Sequence, residues 1–333
     1  MVENSVQPSS ADALLRRLEW TVLRRLDGLL QGDYRTLMRG AGLDLADLRE
    51  YQHSDDVRHI DWNVTARLNM PHVRQFTEDR ELTAWFLLDL SGSVDFGSLQ
   101  RSKRAVSTEF VAVLARLLTR HGNRVGALLF GSAVDAVLPA RGGRAHVLNL
   151  LKRMQAFKPP KTTASTQLAG LLQAAQQIIP RRSMVFVVSD FISAPGWADA
   201  MARLSQKHEV LAVRLFDPTE MDLPDVGWMT MQDAETGEQV LVDTADAGFR
   251  VRFKGLAEDA EAQLRSNLAR AGVDTLELST DDDLVNTLMR FTDMRRARRR
   301  LSGGAPNAFS TTAPRHLPQA MHAHLRNSAG ATA

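Results

Sequence analysis

The chain contains no cysteine. Disulfides, thiolate metal centres and cysteine nucleophiles are therefore excluded, and any metal chemistry must use oxygen or imidazole ligands. Long apolar runs are missing too. None approaches the roughly 18 residues that cross a bilayer as a helix, and the opening Met-Val-Glu-Asn-Ser-Val-Gln lacks the blocks of a signal peptide. A cytoplasmic location is the expectation. There is no Gly-x-x-x-x-Gly-Lys-Ser/Thr loop to cradle ATP phosphates, no Gly-x-Ser-x-Gly elbow and no His-Glu-x-x-His pair. Acidic residues are absent from Arg295 onward, where seven arginines stand. The first 294 residues then hold 34 basic and 39 acidic side chains, so a mildly acidic body carries a basic tail.

What is present describes a soluble, globular α/β protein. Of the 333 residues, 44% are hydrophobic and 24% charged, enough to bury a substantial core. Four regions are expected: a flexible N-terminus over 1–10, a helix and charged segment over 11–81, a main domain over 82–294 and a basic, disordered tail over 295–333. Ala11 to Leu30 has the three- and four-residue apolar spacing of an amphipathic helix. Apolar runs at 83–88, 124–130, 184–190, 209–216 and 273–278 alternate with helical patterns at 100–121, 143–157, 167–179 and 250–271, the last interrupted near Gly255. A short third strand is expected around 136–138. This alternation predicts a mostly parallel sheet with helices on both faces. Two β-like runs around Asp233 to Gly237 predict a hairpin insertion.

The chemistry gathers where apolar strands end. Asp89, Ser91 and Ser93 occupy alternate positions after the run 83–88, and Asp190 closes the run 184–190 in the same way. Open α/β sheets collect ligand groups at the carboxyl ends of their strands. Carboxylates and hydroxyls there suit a hard cation that keeps part of its water, magnesium above all. The plainer reading makes Asp89 a helix cap and lets the serines satisfy backbone donors. Thr166 lies at the head of the helix 167–179 and offers another hydroxyl. His53, His59 and His72 match no zinc spacing and read as structural. Asp281, Asp282 and Asp283 read as first-turn charges that favour a helix N-terminus.

Taken together, Asp89-x-Ser91-x-Ser93, Thr166 and Asp190 resemble the metal-ion-dependent adhesion site of a von Willebrand factor A domain. A second set of segments resembles the bacterial domain of unknown function fifty-eight family, which carries such a domain. These are Arg49-Glu-Tyr51, Asp55-Asp-Val-Arg58-His-Ile-Asp61-Trp62, Ala66-Arg67, Val187 to Phe191 and Asp217-Pro-x-Glu220. The resemblance implies a doubly wound sheet of the von Willebrand A type and one Mg2+, with Mn2+ or Ca2+ as substitutes. Ser91 and Ser93 would bind the ion directly, Thr166 directly or through water, and Asp89 and Asp190 largely through water. A remaining position would accept an acidic side chain of a partner. It further implies association with a MoxR-type AAA+ ATPase, with this chain as a non-enzymatic adaptor or co-chaperone. Arg49, Asp55, Arg58, Asp61, Trp62 and Arg67 are expected as a structural signature, with ion pairs locking an irregular segment.

Two other functions stand beside this one. The same aspartates could serve a metal-assisted hydrolase. Arg295, Arg296, Arg298, Arg299 and Arg300 could contact nucleic acid or a membrane, since clustered arginines neutralise phosphates.

Overall fold

The strands declare themselves by where their side chains go. From Thr83 to Asp89, Ala84, Phe86 and Leu88 enter one hydrophobic core while Trp85 and Leu87 enter another. That is the two-residue period of a strand covered on both faces. The computed structural model describes residues 10–18, 48–52, 60, 62–74, 83–97, 101–159, 166–232 and 239–302. In chain order its elements are α1 (Ser10–Leu18), β1 (Leu48–Glu50), α2 (Trp62–Leu68), β2 (His72–Arg74), β3 (Thr83–Asp89), α3 (Lys103–Arg120), β4 (Arg124–Phe130) and β5 (Val134–Arg141). There follow α4 (Arg144–Ala156), α5 (Leu168–Ile178), β6 (Met184–Ser189), α6 (Trp197–Lys207), β7 (Glu209–Phe216), β8 (Trp228–Gln232), β9 (Gln239–Asp243), α7 (Ala247–Ala271), β10 (Asp274–Ser279) and α8 (Leu284–Ser302).

Six strands form the central sheet in the order β10-β7-β6-β3-β4-β5, parallel except for the edge pair β4 and β5. One face carries α1, α3, α4 and α8, which send Leu15, Phe110, Leu150 and Leu288 into the first core. The other carries α5, α6 and the last turns of α7, through Leu171, Met201 and Leu268. Phe86 and Phe186 stack at 5.1 Å across adjacent strands, with Phe110 edge-on to both. On the opposite face Trp85 lies over Gly126 of β4, where a Cβ would meet the indole at 2.7 Å. A side chain on the neighbouring strand there would force the indole to shift.

Strand order reverses at β3. The chain moves from β3 to β4 and β5 on one side, then crosses to β6 and β7 on the other. The carboxyl ends of β3 and β6 therefore flank the switch point, where such sheets open a crevice for ligands.

Several expectations need correcting. Residues 197–207 form a helix, α6, that the sequence reading passed over. The strand expected at 136–138 spans Val134–Arg141 and runs antiparallel. Helix α7 continues through Gly255 without a break. The last helix runs past position 294 to Ser302, so the boundary there falls inside an element. Trp62 opens a helix and is 70% exposed, and Arg67 is exposed as well, so neither sits in a buried ion-pair cluster. Arg49 lies in β1, paired antiparallel with β2. Asp55, Arg58, Asp61, His53 and His59, the continuation of the first helix toward Leu30, and the hairpin turn around Gly237 lie outside the described residues. The hairpin strands β8 and β9 do pair antiparallel. Among the described residues no helix is long and apolar enough to cross a membrane.

Candidate metal site at the sheet switch point

The site grows from the register of two neighbouring strands. Leu88 of β3 pairs with Val188 of β6, which brings Asp89 and Ser189 side by side at the strand ends. The Ser189 hydroxyl donates to Asp89 Oδ2 at 2.7 Å and accepts from the Phe191 amide at 2.9 Å. Asp89 Oδ1 accepts from the Ser91 amide at 3.0 Å. The loop thus folds back on its own aspartate, and a single 3-10 turn, Gly92–Asp95, carries Ser93. Ser91 and Ser93, both buried, hold their hydroxyl oxygens 3.2 Å apart.

Asp190 is positioned by a backbone that bends sharply just past it. Phe191 has φ of +61°, a left-handed conformation that costs an ordinary residue about 1–2 kcal/mol. Burial of its ring, 5.1 Å from that of Trp197, offsets the cost. The bend lets the Ile192 amide donate back to Asp190 Oδ1 at 3.0 Å. Thr166 is buried and tied to the same loop. Its carbonyl accepts from the Ser193 hydroxyl at 2.8 Å and the Ala194 amide at 3.0 Å, while Ser193 Oγ also accepts from the Leu168 amide at 2.9 Å. The segments bearing Thr166 and Asp190 are therefore fastened together by Ser193.

Sequence reading missed a central member. Lys103, in the first turn of α3, is buried, and its ammonium donates to Asp190 Oδ2 at 2.8 Å and Glu220 Oε1 at 2.7 Å. Its Nζ also lies 5.7 Å from the Phe96 ring centroid. Glu220 is held in turn by a capping box: its Oε2 accepts from the Asp217 amide at 3.0 Å, and Asp217 Oδ1 accepts from the Thr219 amide at 2.9 Å. Asp217 Oδ2 accepts from the Thr280 hydroxyl at 2.7 Å, which ties this turn to the end of β10. One signal for Lys103 was available. A lysine in the first turn of a helix opposes the helix dipole, and something must repay it.

Electrostatics point to missing positive charge. Burial, then the charge of Asp190, pushes the Asp89 carboxyl up to about 6, against hydrogen bonds from Ser189 and Ser91 that pull it down. Burial works against the Lys103 ammonium, but Asp190 and Glu220 outweigh it and raise its pKa above the ordinary lysine value. Lys103 holds two carboxylates, Asp190 and Glu220, while Asp89 lies against Asp190 with only hydroxyl and amide donors, so negative charge exceeds positive in the cluster. Neighbouring ligands of an octahedral ion with bonds of about 2.1 Å stand about 3.0 Å apart, close to the Ser91–Ser93 spacing. Oxygen donors at this spacing suit a small hard cation, which would have to be held largely by hydroxyls, because among the described residues no three His, Cys, Asp or Glu side chains gather as a metal site. A cavity of about 360 Å³ runs from Asp190 and Glu220 toward Arg214, Glu261 and Leu264, and Asp89, Ser91, Ser93 and Thr166 do not line it.

Of the expected basic contact, one arginine is described. Arg295 is buried, donating from Nε to Asp274 at 2.8 Å and from Nη2 to Glu209 at 3.2 Å, which pins α8 to β10 and β7. Arg296, Arg298, Arg299 and Arg300 belong to the same helix. His72 donates from Nδ1 to the Met70 carbonyl at 2.8 Å in a local turn.

The six-stranded sheet, parallel but for one antiparallel edge and covered by helices on both faces, has the doubly wound α/β architecture expected of the chain. Residues 47–263 match the model of the family described as protein of unknown function DUF58, and the chain belongs to that family. The uncharacterized protein Rv1480 of Mycobacterium tuberculosis is 36% identical over 296 residues, which is 89% of this chain and 93% of that one. The uncharacterized protein MAV169 of Mycobacterium avium is 32% identical over 159 residues, 48% of this chain and 94% of that one. Among solved structures, BatB of Bacteroides thetaiotaomicron is similar with 13% identity and a TM-score of 0.41, covering 65% of this chain and 99% of that one. An aerotolerance-related membrane protein of Bacteroides fragilis is similar with 14% identity and a TM-score of 0.43, over the same shares.

Proposed function

We propose that this chain is a non-enzymatic protein-binding module whose divalent ion, held by Asp89, Ser91, Ser93, Thr166 and Asp190, grips an acidic side chain of a partner. Mg2+ is the proposed ion, with Mn2+ or Ca2+ as substitutes. In this reading the module works in the cytoplasm as an adaptor or co-chaperone for a MoxR-type AAA+ ATPase. The ATPase in this reading is a separate chain.

The observation that carries the reading is the pairing of two buried strand-terminal aspartates with two serine hydroxyls 3.2 Å apart at the switch point. The unbalanced negative charge supports a resident cation. A cation bound mainly through neutral hydroxyls keeps its affinity for an anionic sixth ligand, which is what capture of a carboxylate requires. The test is capture from native lysate by tagged wild type and Asp89→Ala, each in magnesium and in EDTA. An ATPase or client retained only by wild type in magnesium is the expected result. The same proteins retained in all four conditions would place the partner surface elsewhere.

A further inference from the structure

Lys103 has no role in the metal-site reading as stated, yet it is among the largest fully buried side chains of the protein. It is held by two carboxylates from different elements, Asp190 after β6 and Glu220 in the turn after β7. An ammonium this deep is retained only where its neighbours compensate it, and here one of those neighbours is a proposed ligand. We propose that Lys103 is a built-in counter-cation of the site. It takes up part of the charge that Asp190 would lend to a divalent ion, and so tunes that ion toward weak binding and strong attraction for a partner carboxylate.

The inference rests on the metal reading and adds to it. Asp190 has one oxygen engaged by Lys103 and the other by the Ile192 amide, so it meets an ion with its charge already shared. Glu220 supplies the opposite sign. Its carboxylate partly neutralises Lys103 and is itself fixed by the Asp217 amide. Across the cluster, charge decides affinity in a definite order. Removing the ammonium leaves Asp190 and Glu220 uncompensated and should tighten divalent binding. Removing the Glu220 charge leaves Lys103 freer to repel the ion and should loosen it. A side chain that merely braced the loop would give a different pattern, because its loss would weaken binding.

The experiment is calorimetric titration of the full chain with Mn2+, comparing wild type, Lys103→Met and Glu220→Gln. The expected result is at least about tenfold tighter binding in Lys103→Met, and about threefold weaker binding in Glu220→Gln. Thermal unfolding with and without Mn2+ should then give Lys103→Met a larger metal-induced rise in Tm than wild type. Glu220→Gln keeps the lysine in place and decides the matter if Lys103→Met does not fold. Measurable wild-type binding with equal or weaker affinity in folded Lys103→Met, or equal or tighter affinity in Glu220→Gln, overturns this inference alone. No binding by any of the three chains overturns the metal reading itself, and this inference with it.

Discussion

His208 is buried with both ring nitrogens lacking a hydrogen-bond partner, and burial followed by the Lys207 charge lowers its pKa to about 4. The folded protein thus prefers neutral imidazole. Stability from this group is complete above the unfolded value near 6.5 and is lost as pH falls toward about 4. His208→Leu removes two unsatisfied polar atoms and should stabilise the protein by about 1 kcal/mol at pH 7.5. The gain should widen at pH 5, as read by urea unfolding at both pH values. Asp89 works in the opposite sense: its carboxyl is raised to about 6, so the metal-free protein gains stability as pH falls through that value. Comparing each variant with wild type at the same pH separates the two. Asp89, Ser91, Ser93 and Asp190 were legible because polar residues at strand ends break an apolar run. Ser189 and Ser193 were not, since a serine carries little information until its partner is known, and Lys103 gave only the weak signal of a lysine at the wrong end of a helix dipole.

Elements were legible where period and punctuation agreed. Helix α3 has its cap at Ser102, whose side chain accepts from the Ala105 amide, and Gly122 follows it with φ of +80°. Helix α6 was not expected, although Trp197, Ala200, Met201 and Leu204 share one face and are all buried. Gly126 was invisible as a requirement, for only the neighbouring strand reveals the indole above it. Gly126→Ala should cost about 1–3 kcal/mol through overpacking against Trp85, measured by chemical unfolding. The end of α8 misled in the opposite way. A run of arginines suggested a solvated tail, yet the partners of Arg295 come from β7 and β10, distant in sequence. Breaking a buried pair leaves uncompensated charge, so Arg295→Met should destabilise by about 3 kcal/mol. A chain ending at residue 294 should lose at least as much, and unchanged stability in either would contradict this account of the last helix.

At the scale of the whole molecule, the alternation of apolar strands and amphipathic helices was enough to predict the sheet class, because a parallel sheet covered on both faces leaves that pattern in the chain. It could not supply strand order, and strand order is what makes the site. Asp89 and Asp190 lie about a hundred positions apart, and only the reversal of winding at β3 puts them on adjacent strands. The same reversal brings the turn at Asp217 to Glu220 against α3 through Lys103. The measurement that tests the central claim most directly is titration of the protein with Mn2+ followed by electron paramagnetic resonance, in wild type and Asp89→Ala. The account predicts one bound ion per wild-type chain, displaced by Mg2+, and none in the variant. Absence of a bound signal in the wild type, or its persistence in Asp89→Ala, would contradict it.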